Sequence, residues 1–161
     1  MPKQLPKNEI QSRDEFFQRE DRAWKALTNT WVDMPEVQFL IPGACGQEWS
    51  VKDVIHHMAA WQEAAQRVVN DLLAGKWGRL GMSTERFNAQ HFALDRERPL
   101  DEAFQRLDAS REMLLVLLAT VQEDQLLNEF GQQQIGWWAK WTTYAHYEQH
   151  LAELNAFRDK G

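Results

Sequence analysis

Ser50-Val-Lys-Asp-Val-Ile-His-His-Met-Ala-Ala-Trp61, running on as QEAAQRVVNDLL to Leu73, reads as one long amphipathic helix. Ser50 suits the N-cap, and Asp53, three residues on, suits the reciprocal partner of a capping box. Val54, His57/Met58, Trp61, Ala65, Val68 and Leu72 recur at spacings of three and four and therefore share one face. Lys52, His56, Glu63 and Arg67 fall on the other side and are expected to face water. Gly75, Gly78 and Gly81 end the pattern.

Outward from this helix the same periodicity returns. Phe17, Trp24 and Trp31 recur every seven residues, with Leu27 in their stripe, and predict a first helix over 8–32. Pro35, Pro42-Gly43 and Gly46 mark a long connection over about 33–48. Ser83 can cap a short helix over 84–94. Pro99-Leu-Asp-Glu opens a further long helix, with proline and acids in the turn that favours them. Its stripe reads Leu100, Phe104, Leu107, Leu114, Leu118 and Val121. A polar stretch over 122–136, broken at Gly131 and Gly136, precedes a last helix over about 137–158. No strand-like alternation rivals these patterns. The expectation is a single all-α domain over 1–161, a four-helix bundle with a long crossover connection through 74–98.

Composition narrows the class. With 43% hydrophobic and 26% charged residues among 161, the chain has the balance of a soluble globular domain. No apolar run approaches the roughly 20 residues of a membrane span, so no membrane partner is expected. The first residues, Met-Pro-Lys-Gln-Leu-Pro-Lys, lack the apolar core of a secretion signal. One cysteine, Cys45, allows no internal disulfide, which suits a cytoplasmic setting. A formal net charge of −6 and no evident basic patch lead to the expectation of no nucleic-acid partner. Cys45 itself lies in Pro-Gly-Ala-Cys-Gly with no helix N-terminus or basic neighbour and reads as an incidental loop cysteine. His91 is expected at the surface.

The chemistry resides in the histidines. His146 and His150, in Ala-His-Tyr-Glu-Gln-His, stand one helical turn apart on one face, along a stripe with Thr143, Leu154 and Phe157. His57 lies at the edge of the apolar stripe of its own helix. If the two helices face each other, three imidazoles can hold one divalent transition metal and leave positions for a small-molecule substrate. The plainer reading makes them hydrogen-bonding core-edge residues. A zinc-protease pattern is absent, because Tyr147 stands where His-Glu-x-x-His requires glutamate. Glu153 either orients or ligates at this site or is a solvated acid; Asp53 is either an outer partner of His57 or, as preferred, a cap. Trp61, Trp138 and Trp141 are candidates for a pocket wall, with ordinary core packing as the alternative.

Trp49 through Met58, with a histidine eight residues after the tryptophan, together with His146-Tyr-Glu-Gln-His150, resembles the DinB/YfiT-like metalloenzyme superfamily. Residues 87–118 resemble its branch that includes the colibactin self-resistance proteins. The resemblance spans about residues 12–157. It implies a four-helix bundle with a crossover, a homodimer, and zinc or nickel held by His57, His146 and His150. It also implies thiol-dependent S-transfer, with a low-molecular-weight thiol as cosubstrate, or hydrolysis of a small electrophile. Two alternatives stand beside it: a metal-independent resistance or sequestering protein for a toxic metabolite, and a helical interaction module without chemistry.

Overall fold

The computed structural model describes residues 10–160. The expected lack of a secretion signal in the first residues, and the start of the first helix at 8, lie outside the described residues. The capping box forms as the sequence predicts. Ser50 Oγ accepts the Asp53 backbone N–H, and Asp53 Oδ2 accepts the Ser50 N–H at 2.9 Å. The described residues form eight helices in order: α1 (Arg13–Asn29), α2 (Glu36–Phe39), α3 (Val51–Leu73), α4 (Thr84–Asp95), α5 (Leu100–Ala119), α6 (Glu123–Leu127), α7 (Ile135–Trp141) and α8 (Tyr144–Lys160). Among the described residues there is no strand, only one isolated bridge between Cys45 and Trp49.

Three boundaries differ from the sequence reading. The first helix starts at Arg13, because Ser12 caps it by accepting the Glu15 N–H, and it stops at Thr30, whose N–H and hydroxyl both bond back to Leu27. The connections over 33–48 and 122–136 hold the short helices α2 and α6. The last helix is split at Thr142 and Thr143. Their hydroxyls donate to the carbonyls of Trp138 and Ala139, four residues back, and compete with regular backbone bonding. Gly136, read as a breaker, lies inside α7 instead. A Cβ there would run into the Leu126 and Asn128 carbonyls, so its bareness lets α7 pack on the end of α6.

Side-chain partners give the topology of the four long helices. His56 meets Arg106 and Gln66 meets Ser110, so α3 and α5 run in the same direction. Phe16 meets Tyr144 and Trp24 meets Tyr147, so α1 and α8 also run in the same direction. Glu20 meets Arg111 while Arg13 reaches the Leu118 carbonyl, so α1 opposes α5. Parallel neighbours need a connection that returns along the bundle, and 74–99 with α4 supplies it.

Most of the core is apolar. Leu27, Val54, Met58, Leu107, Leu114, Leu118 and Leu154 are fully buried, each contributing about 1.5–3 kcal/mol by leaving water. Across the middle runs a polar chain that takes residues from all four long helices. Arg111 pairs with buried Glu20 at 2.6 and 2.8 Å, the Tyr147 hydroxyl approaches Glu20 at 3.4 Å, Gln62 donates to Tyr147 at 2.8 Å, and Ser110 donates to Gln62 at 2.7 Å. The Gln62 amide also reaches the Thr142 carbonyl, tying α3 to the split before α8.

Candidate metal centre

Two helix starts build the site. His57 lies in the second turn of α3, and His146 and His150 lie in the first two turns of α8. Because α3 and α8 face each other here, the His57 ring meets His146 and His150 edge to face at centroid distances of 4.8 and 5.3 Å, while the His146 and His150 rings lie tilted to each other at 4.9 Å. The three rings bring ligand atoms within 4.8 Å of one another, with His146 Nε2 3.0 Å from His57 Nε2 and 3.1 Å from His150 Nε2. His146 and His150 are buried and His57 is partly so.

Protonation suits metal binding. Burial, then the neighbouring His150 and His91, pushes His57 down to about 3. Burial, then His57 and His150, holds His146 well below the ordinary imidazole range. His150 Nδ1 lies 3.0 Å from Glu153 Oε2. A carboxylate accepts only, so Nδ1 carries the proton and Nε2 presents a lone pair. Neighbouring imidazole nitrogens at hydrogen-bond distance can share a proton between two, never among three. One cation can accept all three lone pairs. Nitrogens bonded to a common ion at about 2.0–2.1 Å stand about 2.9–3.4 Å apart for octahedral to tetrahedral angles, and the observed 3.0 and 3.1 Å fall inside that range. The donor set therefore fits a divalent transition metal.

The cluster forms one wall of a cavity of about 520 Å³. Trp49, Trp61, Trp137 and Trp141 line it, with Cys45, Asn88 and Glu153 among the other wall residues. Trp61 is held by its indole N–H, which donates to Asn88 Oδ1 at 2.9 Å. Trp49 stacks on Phe92 at 5.1 Å and meets the His57 ring edge-on at 5.0 Å.

Several residues sit where periodicity did not place them. Trp138 is 2% exposed, its indole N–H donates to the Gln132 carbonyl, and it stands behind the wall; Trp137 takes the lining position. The split before α8 turns the two adjacent indoles out of the register a continuous helix would give. His56 is 1% exposed, not wet, because α5 covers that side and Arg106 reaches its Nδ1 at 3.3 Å. His91 is half-buried against Phe87 and lies 3.7 Å from Asp95. Asp53 serves the cap. Cys45, read as an incidental loop residue, lies on the cavity wall. Three N–H groups, of Gly43, Ala44 and Cys45, converge on the Trp49 carbonyl, and the folded-back loop brings the thiol within 4.8 Å of ligand atoms of His150 and Glu153. Burial and then the Glu153 carboxylate push that thiol up to about 12. Sequence spacing carries no signal for this approach, since a loop made it.

No curated protein sequence matches the chain. Solved structures do match. The colibactin self-resistance protein ClbS, in complex with a dsDNA, superposes with a TM-score of 0.78 at 14% identity, over 92% of this chain and 96% of that one. An uncharacterised protein from Escherichia coli UTI89 gives 0.79 at 14%, over 94% and 95%. The sibling lethal factor precursor DfsB gives 0.77 at 15%, over 94% and 98%. These likenesses establish the fold. They also remove the expectation of no nucleic-acid partner, since a protein of this fold is seen with duplex DNA. Net charge does not exclude such a partner, because it averages over the surface, while contact with phosphates depends on where individual cations stand. Among the described residues no helix is long and apolar enough to cross a membrane. A sequence model of the DinB superfamily matches residues 20–154, most of the chain, and the protein belongs to that superfamily.

Proposed function

We propose that this protein is a metal-dependent enzyme acting on a small electrophilic substrate, by thiol transfer or by hydrolysis. The observation that carries this reading is the convergence of three Nε2 atoms at the wall of a 520 Å³ cavity. His57, His146 and His150 are the proposed ligands of zinc or nickel. Such a metal, when bound, supplies Lewis acidity and makes a thiol or water nucleophilic at neutral pH.

The chain's own groups prepare the site. Glu153 holds the proton of His150 on Nδ1 and so keeps Nε2 free. Burial keeps His57 and His146 neutral, the form that ligates. Trp49 and Trp61, each fixed by a ring or hydrogen-bond partner, displace water from the approach to the histidines. The test is elemental analysis of the purified protein and calorimetric titration with zinc and nickel chloride. About one divalent ion per chain is expected; failure to retain or take up any would overturn the reading.

The likeness to a colibactin self-resistance protein favours one alternative, a metal-independent protein that hydrolyses or sequesters a toxic metabolite. Protection or turnover that survives His146→Ala unchanged would select it.

A further inference from the structure

The cavity has a second property that the metal reading does not use. Its wall holds four indoles, and among its lining residues there is no lysine or arginine. The single formal charge on the wall, apart from the histidines, is the Glu153 carboxylate, 43% exposed and hydrogen-bonded to His150. The other polar groups near the mouth, Asn88 and Gln149 among them, are neutral. Asn88 accepts the Trp61 N–H through its oxygen, which leaves its NH₂ group as a neutral donor.

We propose that the cavity selects a flat aromatic molecule that bears no negative charge away from the reacting centre, either neutral or singly cationic. The proposal rests on the metal-dependent reading for the chemistry but not for the selectivity. Indole faces carry negative electrostatic potential, so they attract ring edges and cations and repel anions. A carboxylate, sulfonate or phosphate placed against them would lose water with no lysine or arginine on the wall to replace it, since Lys140, over the Trp141 ring at 5.1 Å, is paired with Glu129 at 3.1 Å, and would also meet Glu153. A divalent ion on the histidines would offset this only at the wall where it sits. The indoles there are held in advance: Trp61 packs on Phe87 at 4.4 Å, and Trp137 meets Trp138 edge-on at 5.1 Å. Such walls order little further when a ring slides between them, so the selectivity is built in and not induced. At about 520 Å³ the space suits a molecule of two or three fused rings.

The test uses three probes of one shape and different charge: naphthalene-1-methanol, 1-naphthylmethylamine as its ammonium, and naphthalene-1-sulfonate, a weak metal ligand. Each is titrated by ligand-observed NMR against the full chain, both as purified and after chelation. The expected order is ammonium at least as tight as alcohol, and sulfonate about tenfold or more weaker, in both preparations. Trp141→Ala should weaken the alcohol by about fivefold, locating it at the lip where Trp141 is 45% exposed. Glu153→Gln should reduce the ammonium's advantage over the alcohol. Sulfonate binding as tightly as the alcohol in the chelated protein, or no binding of any probe, would overturn the proposal. If the order holds while the protein takes up no metal, the metal reading fails and this one stands.

Discussion

Two buried polar clusters occupy this bundle, and they are built on opposite principles. In the middle, Glu20, Gln62, Ser110, Arg111 and Tyr147 each find a partner of the complementary kind, a donor for each acceptor. Near the starts of α3 and α8, His57, His146 and His150 turn like atoms toward one another, and His146 Nδ1 is buried without a hydrogen-bond partner among the described residues. A closed network of donors and acceptors fixes how helices register and has no use for a ligand. Convergent acceptors beside an open cavity gain only when something from outside fills the centre. The contrast separates a cluster whose donors and acceptors satisfy one another from the cluster on which the proposed metal site rests.

Substitutions can break this contrast from either side. The largest effect is expected for His146→Ala. Zinc affinity should fall about a thousandfold or more, about 4 kcal/mol, by calorimetry, while the urea midpoint of the metal-free protein shifts far less than in the next variant. Glu20→Ala should do the reverse. It removes the bidentate partner of Arg111, which keeps only Asp21 at 4.0 Å, and an acceptor from Tyr147, so stability in urea should drop by about 3 kcal/mol, with metal stoichiometry kept wherever the protein is folded. Preserved zinc binding in the first variant, or unchanged stability in the second, would erase the distinction drawn between the clusters.

The pH response sharpens it. The unfolded chain's imidazoles take protons near 6.5, whereas burial, then neighbouring histidines, holds His57 at about 3 and His146 low in the fold. Below about pH 6.5 the unfolded state therefore binds more protons, and stability of the metal-free protein falls as pH falls toward the folded value. The slope should be about 1.4 kcal/mol per pH unit for each ring, and it should vanish above about pH 7. Urea midpoints at pH 7, 6 and 5 measure it, and His57→Ala should flatten it. The smallest effect is expected for Glu153→Gln, a loss of about tenfold in zinc affinity, because only the hold on His150 Nδ1 weakens.

Much of this is legible in the sequence. Periodicity located every long helix, and the Ser50–Asp53 pair located the start of α3 within a residue. The histidine spacings singled out three rings that the fold then brings together. The split at Thr142–Thr143 was not legible, since threonine in a helix bends the chain only where its hydroxyl finds a carbonyl. That split is what exchanged Trp138 for Trp137 at the cavity wall. His56 was assigned to solvent because a helical wheel knows one helix; α5 and its Arg106 lie beyond it.

The sequence by itself determined what travels along a helix: its period, its caps, and which histidines share a face, because those follow from 3.6 residues per turn and local hydrogen bonds. Only the tertiary structure decided what meets across helices. The pairing of α3 with α8, the loop that carries Cys45 to Glu153, and a cavity lined by four indoles all join residues far apart in the chain. Contacts of that kind are set by packing and by the path of the connections, and neither is written in the spacing of neighbours.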